Sequence, residues 1–322
     1  MRIKYLSHGI VETGGYRHEL FFSRQLCNYF SSENKPCSLE VIRYERIFRG
    51  LQHAALQYRA FAEANADFNV VVVRMAVAAM LRNVFTKRHV ICIFHHTDET
   101  AMTKSLRLYF RFLLFLIRLF PGNRFHAVTV SSFQKEVLER RTGKPVFVFP
   151  NFMDSDFLLK YRTSQKQKRI HLGQCSEKNH PDIYALSDTL SSLGYETYFS
   201  SLKPVPAAGK SYKVLCFDSY ETYVEHMAAS LFTIAFTGMH EGWNRLVHES
   251  ILCGTTVIGY AKGGLGVQLQ EANMFIVESP EAALQIIQSG ETREAPASFI
   301  EKYNTERAAE TMAAFVKSIS VN

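Results

Sequence analysis

Glu241 and Glu249 stand at the two ends of the run Glu241-Gly-Trp-Asn-Arg-Leu-Val-His-Glu249. The apolar stretch before it, Leu231 to Phe236, reads as a buried parallel strand. Behind it, Leu246 to Leu252 has helical spacing and stops at Gly254, a residue suited to a helix C-cap. Thr256 to Tyr260 then reads as the next strand. The pattern predicts Glu241 in a strand-to-helix loop and Glu249 about two turns along the helix. Free backbone N–H groups at a helix start, beside a carboxylate, suit a ligand with phosphate and sugar hydroxyls. Such a pair also occurs on ordinary solvent-facing loops, so spacing alone leaves both readings open.

Other candidates sit where strands end. His95 and His96 close the apolar run Val90–Phe94, at a carboxyl edge where doubly wound sheets bind ligands. A histidine there can equally be a strand-end hydrogen bonder. Gly14-Gly15 follows the first strand and lets a backbone approach a phosphate closely. Lys178 ends the run Leu172-Gly173-Gln174-Cys175-Ser176-Glu177-Lys178. Asp154-Ser155-Asp156 has the form of a metal-binding D-x-D, but it lies beside a polar linker and reads as turn chemistry. No histidine pair has metal-ligand spacing, so no metal is expected. The six cysteines form no C-x-x-C pair, which argues against a zinc site or disulfide framework and for a reducing compartment.

The elements that position these residues alternate strand and helix twice over. Strands are predicted at Ile3–Ser7, Leu39–Tyr44, Phe68–Val73, Val90–Phe94, His126–Val130 and Val146–Phe149. A second set falls at Ile170–Leu172, Glu196–Phe199, Val214–Phe217, Leu231–Phe236, Thr256–Tyr260 and Phe275–Val277. The helical patterns are clearest at Glu19–Phe30, Leu51–Ala64, Lys104–Phe120 and Gln134–Arg141. This alternation predicts an α/β chain of two Rossmann-like doubly wound parallel sheets. The expected N-terminal domain is 1–160, the polar linker 161–169 and the C-terminal domain 170–302.

With Cys253-Gly-Thr-Thr-Val-Ile258 and Gly263-Gly264 in register behind it, the E-x7-E segment resembles the donor-binding core of retaining GT-B glycosyltransferases of the large family 4 group. Gly14-Gly15-Tyr16-Arg17-His18, Val128 to Val137 and the Pro150-Asn151-Phe152-Met153-Asp154 turn extend the resemblance. It implies a GT-B fold whose domains face across a cleft, with helix 303–322 packing back on the N-terminal domain. It implies transfer of one sugar from a nucleotide-sugar donor to a glycan or polyprenyl- or lipid-linked acceptor, in cell-surface polysaccharide or glycolipid synthesis, without cofactor or metal.

The resemblance also implies residue roles. Glu249 would accept from ribose hydroxyls, and Glu241 and His95 would touch the donor sugar. Gly14, Gly15, Gly173, Gly242, Trp243 and Asn244 would line the donor site. Lys178 would neutralise the diphosphate, and Gln174 stands where relatives carry an arginine. Arg245 is either the substitute cation or a solvent-facing loop residue. Two other readings stay open, a catalytically inactive binding partner and a GT-B-fold nucleotide-sugar epimerase.

Charge is divided unevenly. Residues 1–169 carry 27 Lys and Arg against 13 Asp and Glu, a net +14, and the remainder carries 10 against 17, a net −7. A basic half suits a polyanion or an anionic membrane surface, and no nucleic-acid-binding motif accompanies it. On Lys104–Phe120, at ~100° per residue, Lys104, Arg107, Arg111 and Arg118 share roughly 60° of arc, with aromatic and aliphatic residues around the rest. That segment is either an interfacial membrane helix or a buried helix with one wet stripe. The chain opens on a short strand instead of a secretion signal, so the expected place is the cytoplasm, peripherally at the inner membrane face.

Overall fold

Apolar strands, most of them followed by a helix, give two parallel sheets of six strands. The computed structural model describes residues 1–8, 14–44, 52–119, 124–176 and 179–320. Two compact units divide the chain, Met1–Asn151 with Glu306–Asn322, and Phe152–Thr305.

The first unit runs β1 (Arg2–His8), α1 (Gly14–Ser32), β2 (Ser38–Tyr44), α2 (Gln52–Glu63), β3 (Phe68–Val72), α3 (Ala76–Thr86), β4 (His89–Phe94), α4 (Lys104–Leu119), β5 (Phe125–Thr129), α5 (Ser132–Thr142) and β6 (Val146–Val148). Its strand order is β2-β1-β3-β4-β5-β6, with every pair parallel. The central strands are buried on both faces, so Val70, Val71 and Ile91 to Phe94 form a continuous apolar run instead of an alternating one.

The second unit runs α6 (Ser155–Leu159), β7 (Gln167–Gln174), α7 (Asp182–Ser192), β8 (Glu196–Ser201), β9 (Lys213–Cys216), α8 (Tyr220–Ala228), β10 (Ser230–Ala235), α9 (Arg245–Leu252), β11 (Thr256–Gly259), α10 (Gly264–Glu271), β12 (Phe275–Ile276), α11 (Pro280–Ser289) and α12 (Ala297–Lys302). Its order is β12-β11-β10-β7-β8-β9, again all parallel. Strand order reverses between β7 and β10, and the crevice beyond the carboxyl ends of such a pair is where doubly wound sheets bind ligands. Gly173-Gln174 ends β7, and Glu241 lies in the loop after β10. The last helix, α13 (Arg307–Ser320), belongs to the first unit and packs on α1, with Phe315 edge-on to Phe22 at 5.4 Å.

All twelve strands fall where the apolar runs place them, within a few residues. The linker differs. Met153 N–H donates to the Tyr303 carbonyl at 2.9 Å, which ties residues after Asn151 to the second unit. Residues 167–169 of the expected linker are the first of β7, because Gln167 already pairs with Ser230. The linker cations cap helix ends, Arg162 Nε donating to the Leu252 carbonyl at 3.0 Å and Lys166 Nζ to those of Ala228 and Gly254 at 2.6 and 2.8 Å.

Candidate functional site

The Glu241 loop is fixed by backbone contacts and two amide side chains. Asn244 is the N-cap of α9, and its side-chain oxygen accepts from Val247 N–H at 3.1 Å. Its amide donates to Glu241 Oε2 at 2.7 Å. Gln268, buried on α10, holds the Asn244 backbone both ways, accepting from its N–H at 3.2 Å and donating to its carbonyl at 3.0 Å. Gly264 N–H donates to the Glu241 carbonyl at 2.6 Å. Gly263 makes that approach possible, since its φ is +62° and an added Cβ would lie 2.7 Å from the Glu241 oxygen. Glu241 is 9% exposed as a result.

Glu249 is 5% exposed in the second turn of α9, where three donors reach it. Arg245 Nε and the Tyr220 hydroxyl both donate to Oε1 at 2.9 Å, and the Tyr223 hydroxyl donates to Oε2 at 3.3 Å. Tyr220 and Tyr223 lie on one face of α8, three positions apart. Burial, and then the Glu249 charge, push both phenols up, so they stay protonated donors. Burial works against the Arg245 charge, but Glu249 outweighs it and raises the guanidinium further.

Not every residue implied by the resemblance points to this place. Trp243 packs inward, its indole donating to His248 Nδ1 at 3.4 Å and lying 4.6 Å from the Tyr303 ring. Its ring anchors the loop against the His248–Tyr303 aromatic cluster. Buried Gly242 offers only backbone. Gly173 lies near the end of β7, while Gln174 is exposed and its carbonyl accepts from Asn179 Nδ2 at 3.0 Å. Lys178 lies outside the described residues. Asp154 caps α6, accepting from Phe157 N–H at 2.9 Å. Among the described residues no group of three His, Cys, Asp or Glu side chains could hold a metal ion.

In the first unit His95 meets a carboxylate that the motifs did not reveal. Its Nε2 lies 3.2 Å from Glu19 Oε1, and the Tyr5 hydroxyl donates to Glu19 Oε2 at 2.5 Å. Gln134 Nε2 donates to the His95 carbonyl at 2.7 Å, fixing the strand end. Gly14 and Gly15 are the first residues of α1 instead of a free loop before it. A Cβ on Gly15 would stand 3.3 Å from His95 Cδ2, so the glycine lets the helix start against the imidazole. Glu19 carried a signal in the sequence. It shares the apolar face of α1 with Phe22, Leu26 and Phe30, where a charge needs a partner. Tyr220, Tyr223, Gln134 and Gln268 carried none.

On α4 the buried face is Phe110, Leu113, Leu114, Leu116 and Ile117. Its outer face holds Lys104, Arg111 and Arg118 beside Leu108, Phe112, Phe115 and Leu119, which are 48–72% exposed. Neighbouring α3 adds exposed Leu81, Val84 and Phe85. Arg107 departs from the expected stripe. Half-buried, it donates to the Glu99 and Met102 carbonyls at 2.9 and 3.3 Å, closing the turn that precedes the helix. Arg111 pairs with Glu99 at 2.6 Å. None of the described helices is long and apolar enough to cross a membrane.

No protein-family model and no curated protein matches the sequence. Among solved structures, Anabaena HepE in complex with UDP-glucose is similar over 99% of this chain and 100% of its own, with TM-score 0.68 and 15% identity. A lipopolysaccharide outer core galactosyltransferase, WaaB, has TM-score 0.68 and 12% identity over 99% of both chains. UDP-GlcNAc 2-epimerase from Methanocaldococcus jannaschii has TM-score 0.60 and 8% identity over 99% of this chain and 100% of its own. At these identities the likeness establishes the GT-B-type fold of two parallel-sheet units.

Proposed function

We propose that this chain is a nucleotide-sugar glycosyltransferase that moves one sugar, with retention and without a metal, to a glycan or lipid-linked acceptor. The observation that carries the reading is the fixed Glu241 loop. Beyond the switch point of the second sheet, Gly263, Gly264, Asn244 and Gln268 hold one buried carboxylate at the loop and α9 presents a second. Such a pair can order a ribose diol and a sugar, and the backbone N–H groups where α9 begins favour the intervening phosphates. Leaving-group charge then falls to fixed dipoles and cations, with positioning as the main source of rate. The similarity to HepE with UDP-glucose supports this choice of ligand.

The likeness to UDP-GlcNAc 2-epimerase favours one rival, an epimerase on the same fold. Incubating the purified chain with a panel of nucleotide sugars and candidate acceptors separates the readings. A glycosylated acceptor with unchanged anomeric configuration supports transfer. An epimerised donor identifies the rival, and an unaltered donor across the panel identifies a binding partner without turnover.

The acceptor side of the proposal is a membrane. The outer face of α4 joins cations to large apolar side chains, an arrangement that suits the boundary between anionic headgroups and acyl chains. We place the chain peripherally at the cytoplasmic face of the membrane, where a polyprenyl- or lipid-linked acceptor is concentrated.

A further inference from the structure

Arg245 is the first residue of α9, and in this structure its guanidinium is engaged by Glu249. Glu249 does not depend on it. Tyr220 reaches the same carboxylate oxygen, and Tyr223 the other. The carboxylate side chain is 6% exposed while that of Arg245 is 38% exposed, so the cation is the accessible partner of the pair. A carboxylate offers about four acceptor positions. Three are filled, so a ribose diol that needs two requires one donor to leave. The loop after β7 brings no lysine or arginine among its described residues, Cys175, Ser176 and 179–181.

We propose that Arg245 is a reserve phosphate-binding cation, held on Glu249 until a nucleoside diphosphate arrives and then transferred to its phosphate. Tyr220 and Tyr223 keep Glu249 hydrogen-bonded while the ribose hydroxyl takes the vacated position. The exchange frees a partly exposed cation from a buried carboxylate that keeps two tyrosine donors, and it ends on a bidentate-capable phosphate contact. Arginine suits the task because its planar fork can serve either carboxylate or phosphate. The inference rests on the nucleotide-sugar reading and adds the residue that meets the phosphate charge.

Calorimetric titration with UDP, GDP, ADP, CDP and dTDP at low and raised salt tests it. The diphosphate that wild type binds best is then titrated into Arg245→Gln, Arg245→Lys and Tyr220→Phe. Arg245→Gln should raise its Kd at least tenfold and flatten the salt dependence, because one screened charge contact is gone. Arg245→Lys should recover a substantial part of both. Tyr220→Phe, which removes another donor from the same oxygen, should leave the salt dependence as in wild type. Unchanged affinity in Arg245→Gln, or a salt dependence parallel to wild type, overturns the inference and leaves the nucleotide reading intact. Wild-type protein that binds none of the diphosphates overturns the reading itself. Melting curves of each variant identify any loss of fold.

Discussion

The backbone of Gly263 lies against Glu241 so closely that the two form an isolated parallel bridge across twenty-two positions of sequence. The glycine in Gly263-Gly264 therefore fixes the backbone that carries the Glu241 carboxylate after β10. With φ at +62° and only 2.7 Å between an added Cβ and the Glu241 oxygen, Gly263→Ala combines an unfavourable backbone conformation with a clash. We expect a loss of roughly 1–3 kcal/mol from the backbone alone, read as a lower melting temperature. Donor turnover should fall further than stability explains. A variant as stable and active as wild type would show that the loop does not need this contact.

Glu249→Ala removes the acceptor shared by Arg245, Tyr220 and Tyr223. Tyr223, the innermost of the three, then loses its acceptor at about 1–3 kcal/mol, so this variant should lose both stability and nucleotide affinity. Glu249→Gln keeps one acceptor oxygen and should preserve more of the fold while still weakening the nucleotide. Glu241→Ala should mainly lower turnover, by roughly 1.5–3 kcal/mol of activation free energy. Equal donor affinity and turnover in wild type and these variants would refute the assigned roles.

Strand positions were legible because strands buried on both faces need unbroken apolar runs, as Val90 to Phe94 and Leu231 to Phe236 show. The E-x7-E segment was legible because its loop, helix and following strand are local. The partners of its carboxylates were not. Tyr220 and Tyr223 come from α8, before β10 in the chain, and Gln268 from α10, and no local spacing announces a pairing made by tertiary packing. Arg107 misled for a related reason. Helical periodicity assigns a direction but not the two carbonyls, of Glu99 and Met102, that draw its side chain inward.

Acid should destabilise the second unit through His171. Burial, and then His226, lower its imidazole from 6.5 to about 3. The ring stacks on Tyr198 at 4.7 Å, with Tyr223 edge-on at 6.2 Å. Above 6.5 both folded and unfolded chains leave it neutral. Below that value the unfolded chain takes up a proton that the native one refuses, so native stability falls as pH falls. The loss reaches about 2 kcal/mol by pH 5. In His171→Phe the difference in urea midpoint between pH 7 and pH 5 should shrink. An unchanged difference would assign the acid sensitivity to other groups, such as His126.

Activity should persist in excess EDTA, because the proposed mechanism meets leaving-group charge with a protein cation and helix-start N–H groups. The measurement is the transfer rate before and after chelation. Loss of activity that magnesium or manganese restores would replace this mechanism and return Asp154 and Asp156 to consideration, although Asp154 serves as a helix cap.

Membrane contact through α4 should need both its charges and its apolar side chains. Liposome flotation is the test, with anionic and neutral vesicles at low and raised salt. Wild type should float with anionic vesicles and less so as salt rises. Replacing Lys104, Arg111 and Arg118 by Gln should abolish the preference for anionic lipid. Arg107→Gln should instead lower stability, since its guanidinium closes the turn onto the Glu99 and Met102 carbonyls. Phe112→Ser with Phe115→Ser should weaken binding at every salt concentration, because those rings are 48% and 54% exposed and add little to the core. Wild-type protein that ignores anionic vesicles would remove the membrane from the proposal, and the acceptor would then be sought among soluble glycans.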